Sequence, residues 1–251
     1  MKEVTDQAFV LRVGHFREID LWLKLLVPEI GLVTAFAFGG AKSRRRFCGC
    51  LDVFNILTCR LRQAKSGPYL TLEEAQLVRA PEHLRRDYKR TGLAANCLRF
   101  LEAFGVAPEN AADVFVLLQE MCSRLEKPDE VASLFPLFFR LKLAAHAGYR
   151  LEFSACGMCG EPLHGCALFV VNEGFFVCER CRSAVTAPPH LLVSTSKRER
   201  ALLSSVQENG PLLWTDADYA PYEKRVCSMS IDGFIQYHLG IVWERGAFRR
   251  V

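Results

Sequence analysis

Apolar residues in the first 80 positions fall in short, partly alternating runs rich in β-branched and aromatic side chains. These predict strands over 8–13, 21–27, 32–38, 53–63 and 69–78, separated by turn signals at Gly14, 28–31, Gly39-Gly40 and 66–68. Five strands in about 80 residues fit a small barrel, of which the OB-fold is the common five-stranded form and an SH3-like barrel the competitor. Alternation in the fourth strand puts Leu57, Cys59 and Leu61 on one face and Thr58, Arg60 and Arg62 on the other.

From Pro81 the period lengthens. Leu84, Tyr88, Cys97, Leu98, Leu101 and Phe104 approximate a helical stripe that ends at Gly105 and Pro108. Val114, Leu117, Leu118, Met121, Cys122 and Leu125 form a second stripe, and a third helix is expected over about 130–147. Residues 151–187 revert to glycine, cysteine and short apolar runs, at 167–171 and 175–177, before Pro188-Pro189. Helix is expected again over 197–206 and 223–242. The predicted class is α+β: a barrel domain over 1–80, then a helical domain over 81–251 carrying a four-cysteine insert at about 151–187.

Cysteine spacing supplies the strongest chemical signal. Cys156-Gly-Met-Cys159 is followed, after 18 intervening residues, by Cys178-Glu-Arg-Cys181, a pair of knuckles suited to one tetrahedrally held zinc ion. Four thiolates leave no open coordination position, which makes the expected role structural; His164 and Cys166 lie between the knuckles at less regular spacing. Eleven cysteines, an odd number, and an acidic N-terminus with no secretory pattern suggest a reducing, cytoplasmic location. No apolar run approaches the ~20 residues of a membrane span.

The net charge of +4 is concentrated. Residues 1–80 hold 12 basic and 8 acidic side chains, whereas 81–251 hold 20 of each. Lys42, Arg44, Arg45, Arg46, Arg60, Arg62 and Lys65 face only Asp52 within their stretch, which suggests a surface for a polyanion held through phosphates. Phe36, Phe38, Phe47 and Phe54 are interleaved with it; most suit a barrel core, and one or two suit base stacking. Phe135, Phe138 and Phe139 with Arg140 and Lys142 suit core packing best, and otherwise a groove for an acidic partner peptide. Gly39-Gly40-Ala41-Lys42-Ser43 is not a phosphate-binding P-loop, because Ala41 precedes the lysine and Phe36 stands where the loop must open. Without HExxH, GxSxG or HxE-plus-PCxxC patterns, the metalloprotease, serine hydrolase and zinc deaminase readings lack their essential groups, and nothing in the chain looks like an active site.

The segments 8–12, 16–20, 28–31, 40–46 and 51–54, then 140–143, Gly148-Tyr149, 156–162, 178–181 and 237–240, make the chain resemble the bacterial RecO family of recombination mediators. The resemblance implies an OB-fold that binds single- and double-stranded DNA, and a helical domain that supports contact with RecR and with the tail of single-stranded DNA-binding protein. It also implies strand annealing and help in loading RecA, a place in the RecF pathway at the nucleoid, and no nucleotide hydrolysis. Gly39 stands where the family often has lysine. Some members lack the cysteines, which makes zinc a stabiliser of this version of the fold. Two other readings start from the same residues: a zinc-ribbon adaptor between proteins without DNA affinity, and a metal-dependent enzyme, which would need an open zinc position.

Overall fold

A computed structural model describes residues 3–63 and 69–251. Lys65 and the expected turn at 66–68 lie outside the described residues. The chain forms two compact units: one runs to Thr91 and resumes over Gly105–Pro128, and the other comprises Gly92–Phe104 and Asp129–Val251.

In the first unit, β1 (Glu3–His15), β2 (Leu21–Val27), β3 (Gly31–Ala37), β4 (Ile56–Gln63) and β5 (Leu70–Arg79) close into a barrel in the order β1-β2-β3-β5-β4. The long β1 makes closure possible. Its first half pairs with β4 and its second half with β2, with a register shift between Val10 and Arg12 where the strand turns from one partner to the other. The last seam is the short parallel pairing of β3 with β5 at Ala35–Leu70 and Phe36–Thr71. Inward positions are the small and branched residues that a narrow barrel accepts, among them Ala8, Val10, Leu23, Leu25, Ala35, Leu57, Leu61 and Leu72. Between β3 and β4, where no regular element forms, Phe47 enters this same core and is wholly buried.

After the short α1 (Glu82–Arg86) and the longer α2 (Tyr88–Phe104), α3 (Ala111–Glu126) buries Val114, Leu117, Leu118, Met121 and Leu125. It packs on α1, β2 and β3. These contacts group α3 with the barrel, so the compact units do not coincide with a cut at residue 80.

The second unit holds α4 (Phe135–His146), β6 (Ala167–Val170), β7 (Phe175–Val177), β8 (Leu192–Thr195), α5 (Lys197–Glu208), α6 (Pro221–Leu239), and a hairpin of β9 (Ile241–Glu244) with β10 (Ala247–Arg250). α4 starts five residues later than the periodicity suggests. The turn that leads into it is fastened from afar by the buried Asp216, which accepts from Ser133 N at 3.1 Å, Ser133 Oγ at 2.7 Å and Leu134 N at 2.8 Å, with Lys224 Nζ at 3.2 Å. α6 ends at a left-handed Gly240, before the expected 242. The hairpin that follows has Arg245 and Gly246 both at positive φ, a two-residue turn. The third strand of the small sheet, β8, was also not expected.

Phe47→Ala removes the side chain that fills the barrel. A loss of about 3–5 kcal/mol is expected in denaturant unfolding.

Burial pushes the Asp216 carboxyl up, but its hydrogen bonds to Ser133 and Leu134 and the Lys224 ammonium outweigh that and hold it below its usual value. Its contribution is therefore complete above the unfolded carboxyl value of about 3.9 and is lost as pH falls through the lower folded one. Asp216→Asn should cost about 1–3 kcal/mol at neutral pH. The gap between variant and parent, followed by thermal unfolding, should close in acid.

Candidate nucleic-acid interface and metal centre

The basic loop is presented by its neighbours. Because Phe47 is buried, the three arginines before it are held at the barrel surface, and Lys42, Arg44, Arg45 and Arg46 are all exposed. Backbone bonds fasten the loop: Ala75 N of β5 donates to Arg46 O at 2.9 Å, and Ala41 N donates to Ile19 O at 3.0 Å. The buried Asp20 accepts from Gly39 N at 2.7 Å, and Arg46 donates to the Phe38 carbonyl. Among the described residues, none of these four cations has a carboxylate within salt-bridge distance.

Arg60 and Arg62 do face outward from β4, while Leu57, Cys59 and Leu61 face the core. Their expected lack of neutralising acids is not what the barrel provides. Arg60 meets Glu3 at 3.4 Å and Glu74 at 3.1 Å, and Arg62 meets Glu73 at 2.6 Å. β1 and β5 flank β4, and so bring acids that are remote in sequence. Exposed pairs of this kind contribute about 0–1 kcal/mol, little enough for a phosphate to compete with them.

Phe47 and Phe54 are buried, whereas Phe38 is exposed and Phe36 half-buried on the outer side of β3. Phe16 and Tyr69 are also exposed, and both rings touch Phe36. Neither was singled out from sequence as a stacking residue; Phe16 directly follows β1 and Tyr69 directly precedes β5.

The alternative of a partner groove at Phe135, Phe138 and Phe139 is not what the surface shows: all three rings are fully buried, two of them against Trp214. Arg140 binds Asp232 at 2.8 Å and lies over Phe248, and Lys142 donates to the carbonyls of Gln207 and Glu208 at the end of α5. One helix packed on several sides needs a broad apolar face, so the width of the stripe reflects core packing.

The four knuckle cysteines converge, with every Sγ within 4.8 Å of the others, and they could hold a metal ion. Gly157 permits this approach, since a Cβ there would lie 2.5 Å from the Phe175 ring of β7. Backbone amides point at the sulfurs; Cys178 N lies 3.4 Å from Cys156 Sγ. Burial raises the Cys156 thiol, and the amides of Cys178, Cys159 and Met158 outweigh it and lower its pKa. Cys181 is instead pushed up by its sulfur neighbours Cys159 and Cys178. Four thiols so close cannot all ionise without a cation among them, which is the demand a metal meets. The buried Arg200 steadies the module by donating to Thr195 O at 3.2 Å and Gly165 O at 2.9 Å. His164 and Cys166 are not part of the cluster.

Two family models cover almost the whole chain: Recombination protein O N terminal over residues 1–81 and Recombination protein O C terminal over 85–245. The chain belongs to the RecO family. Relatives called DNA repair protein RecO include those of Nitratidesulfovibrio vulgaris, at 47% identity over 99% of this chain and 100% of the relative, and Oleidesulfovibrio alaskensis, at 44% over 99% and 100%. That of Lawsonia intracellularis is 37% identical over 99% and 100%. The family assignment supports a role in DNA repair and recombination. Among the described residues, no helix of the chain is long and apolar enough to cross a membrane.

Replacing Cys159 and Cys178 together by Ser should abolish metal retention, read by elemental analysis. It should also lower the thermal midpoint by on the order of 5–10 °C.

Proposed function

We propose that this protein is a non-enzymatic recombination mediator of the RecF pathway. Its N-terminal domain, residues 1–80, binds single- and double-stranded DNA, anneals complementary strands and assists RecA loading onto strands coated with single-stranded DNA-binding protein. The observation that carries this reading is the anchored loop with exposed Lys42, Arg44, Arg45 and Arg46 on a closed five-stranded barrel. Phosphate contacts hold a strand without reading its sequence. Two strands on one positive surface have their mutual repulsion screened, a sufficient physical basis for annealing. Arg60 and Arg62 join the interface by exchanging Glu3, Glu73 and Glu74 for phosphate, so each contributes less than a loop arginine.

RecR and the tail of single-stranded DNA-binding protein are the proposed protein partners, RecA is reached indirectly, and the place of action is the cytoplasmic nucleoid. One structural zinc ion is the proposed occupant of the four-cysteine centre. A tetrahedron with Zn–S bonds of about 2.3 Å has edges of about 3.8 Å, and Cys159 and Cys178 Sγ are 3.8 Å apart. With all four positions filled by protein, the ion holds the knuckles and activates no water.

Arg44→Ala, Arg45→Ala and Arg46→Ala combined should weaken binding to every DNA sequence alike. The slope of log affinity against log salt should flatten by roughly one unit per arginine, as read by anisotropy of labelled oligonucleotides. Annealing of strands coated with single-stranded DNA-binding protein should be accelerated by the parent chain and fall with added salt. An unchanged slope removes the loop from the interface, and absent acceleration removes the mediator reading.

A further inference from the structure

The outer side of β2 and β3 carries an aromatic floor. Inward-facing Leu21, Leu23, Ala35 and Ala37 force Trp22, Phe36 and Phe38 outward, and cross-strand register sets Trp22 opposite Phe36. Phe36 lies at the centre: its ring centroid is 5.2 Å from Phe16, 6.5 Å from Phe38 and 5.4 Å from Tyr69. Phe16, Phe38 and Tyr69 are each about half exposed, at 52%, 46% and 50%. Burying three large rings elsewhere would stabilise the fold, so such a cluster left in water marks a contact surface.

The floor is built rather than incidental. Gly14 of β1 pairs with Trp22, and a Cβ on it would stand 2.4 Å from the indole, so only glycine lets the indole lie against the sheet. The rim is cationic: Arg12 lies 5.7 Å over Trp22, Arg17 lies 5.3 Å over Phe16, and Arg46 of the basic loop is bonded to the Phe38 carbonyl. Rings inside a rim of guanidinium groups suit a polyanion that also carries flat apolar groups. In a duplex those groups are stacked on one another, and their faces are not available.

We propose that Phe16, Phe36, Phe38, Tyr69 and Trp22 form a stacking site for unpaired nucleobases, which gives the barrel a single-strand preference separate from the phosphate-binding loop. This rests on the DNA-binding reading above and assigns the chemistry that distinguishes one strand from two. The loop holds either form of DNA, whereas the floor gains contact only with bases that have left their partners.

The test compares a homopolymeric deoxythymidine strand with a duplex of equal length, by anisotropy, on the full chain and on F16A/F38A/Y69A. The variant should lose roughly tenfold or more in single-strand affinity, with duplex affinity changed less than about threefold, which also reports that the barrel is folded. In a Trp243→Phe chain, where Trp214 is buried and Trp22 is the remaining outer indole, the single strand should quench fluorescence. Adding Gly14→Ala, which displaces the indole, should remove that quenching. Unchanged single-strand affinity in F16A/F38A/Y69A overturns the proposal, as does equal loss for both forms of DNA. If the parent chain binds neither form, the DNA-binding reading itself falls, an outcome distinct from binding that ignores the floor.

Discussion

Barrel closure depends on β3 and β5 meeting in parallel, although the chain between β3 and β4 forms no regular element. What fills the interior is Phe47, donated by that same excursion and fully buried with the inward residues of the strands. A wholly buried phenylalanine contributes on the order of 2–3 kcal/mol from apolar area alone. Its neighbours cannot follow it inside, because three consecutive guanidinium groups have no place in an apolar core. One hydrophobic contact therefore both completes the barrel and fixes Arg44, Arg45 and Arg46 at its surface.

Local tethers carry the same effect further. Asp20 ties the turn after β1 to Gly39, and Ala75 of β5 ties to Arg46, so the loop that carries the charge is held by three strands' connections. A held loop loses little further entropy when it meets a phosphate, and this favours affinity without any additional contact. The four-cysteine module works by the analogous rule in the other unit. Its short strands bury Leu168, Phe169, Phe176 and Val177, and the four converging cysteines could add a metal cross-link to that packing.

Much of this was legible from residue order. The five strands were visible in alternation, and four of them shifted by no more than three residues, but β1 begins at Glu3 rather than 8, and most of the part that pairs with β4 was missed. The four converging cysteines were visible in two CxxC knuckles, because a knuckle brings its own two sulfurs together locally. The terminal hairpin carries a weaker signal, Arg245-Gly246, and its first two residues continue the helical pattern that Gly240 stops.

What residue order could not show is who meets whom across the fold. Glu3 and Glu74 lie 57 and 14 positions from Arg60, and only the pairing of β4 with β1 and β5 makes them neighbours. Phe135, Phe138 and Phe139 suit a core best on their spacing, and only the elements that cover them remove the groove as an alternative. Phe16, Phe36 and Tyr69 belong to three separate segments that closure gathers around one ring. The sequence by itself determined the local elements, the four-cysteine cluster and the sign of the charge, since each is set by spacing along the chain. Tertiary structure alone decided which charges remain unpaired and which rings remain in water, since both depend on neighbours that only packing supplies.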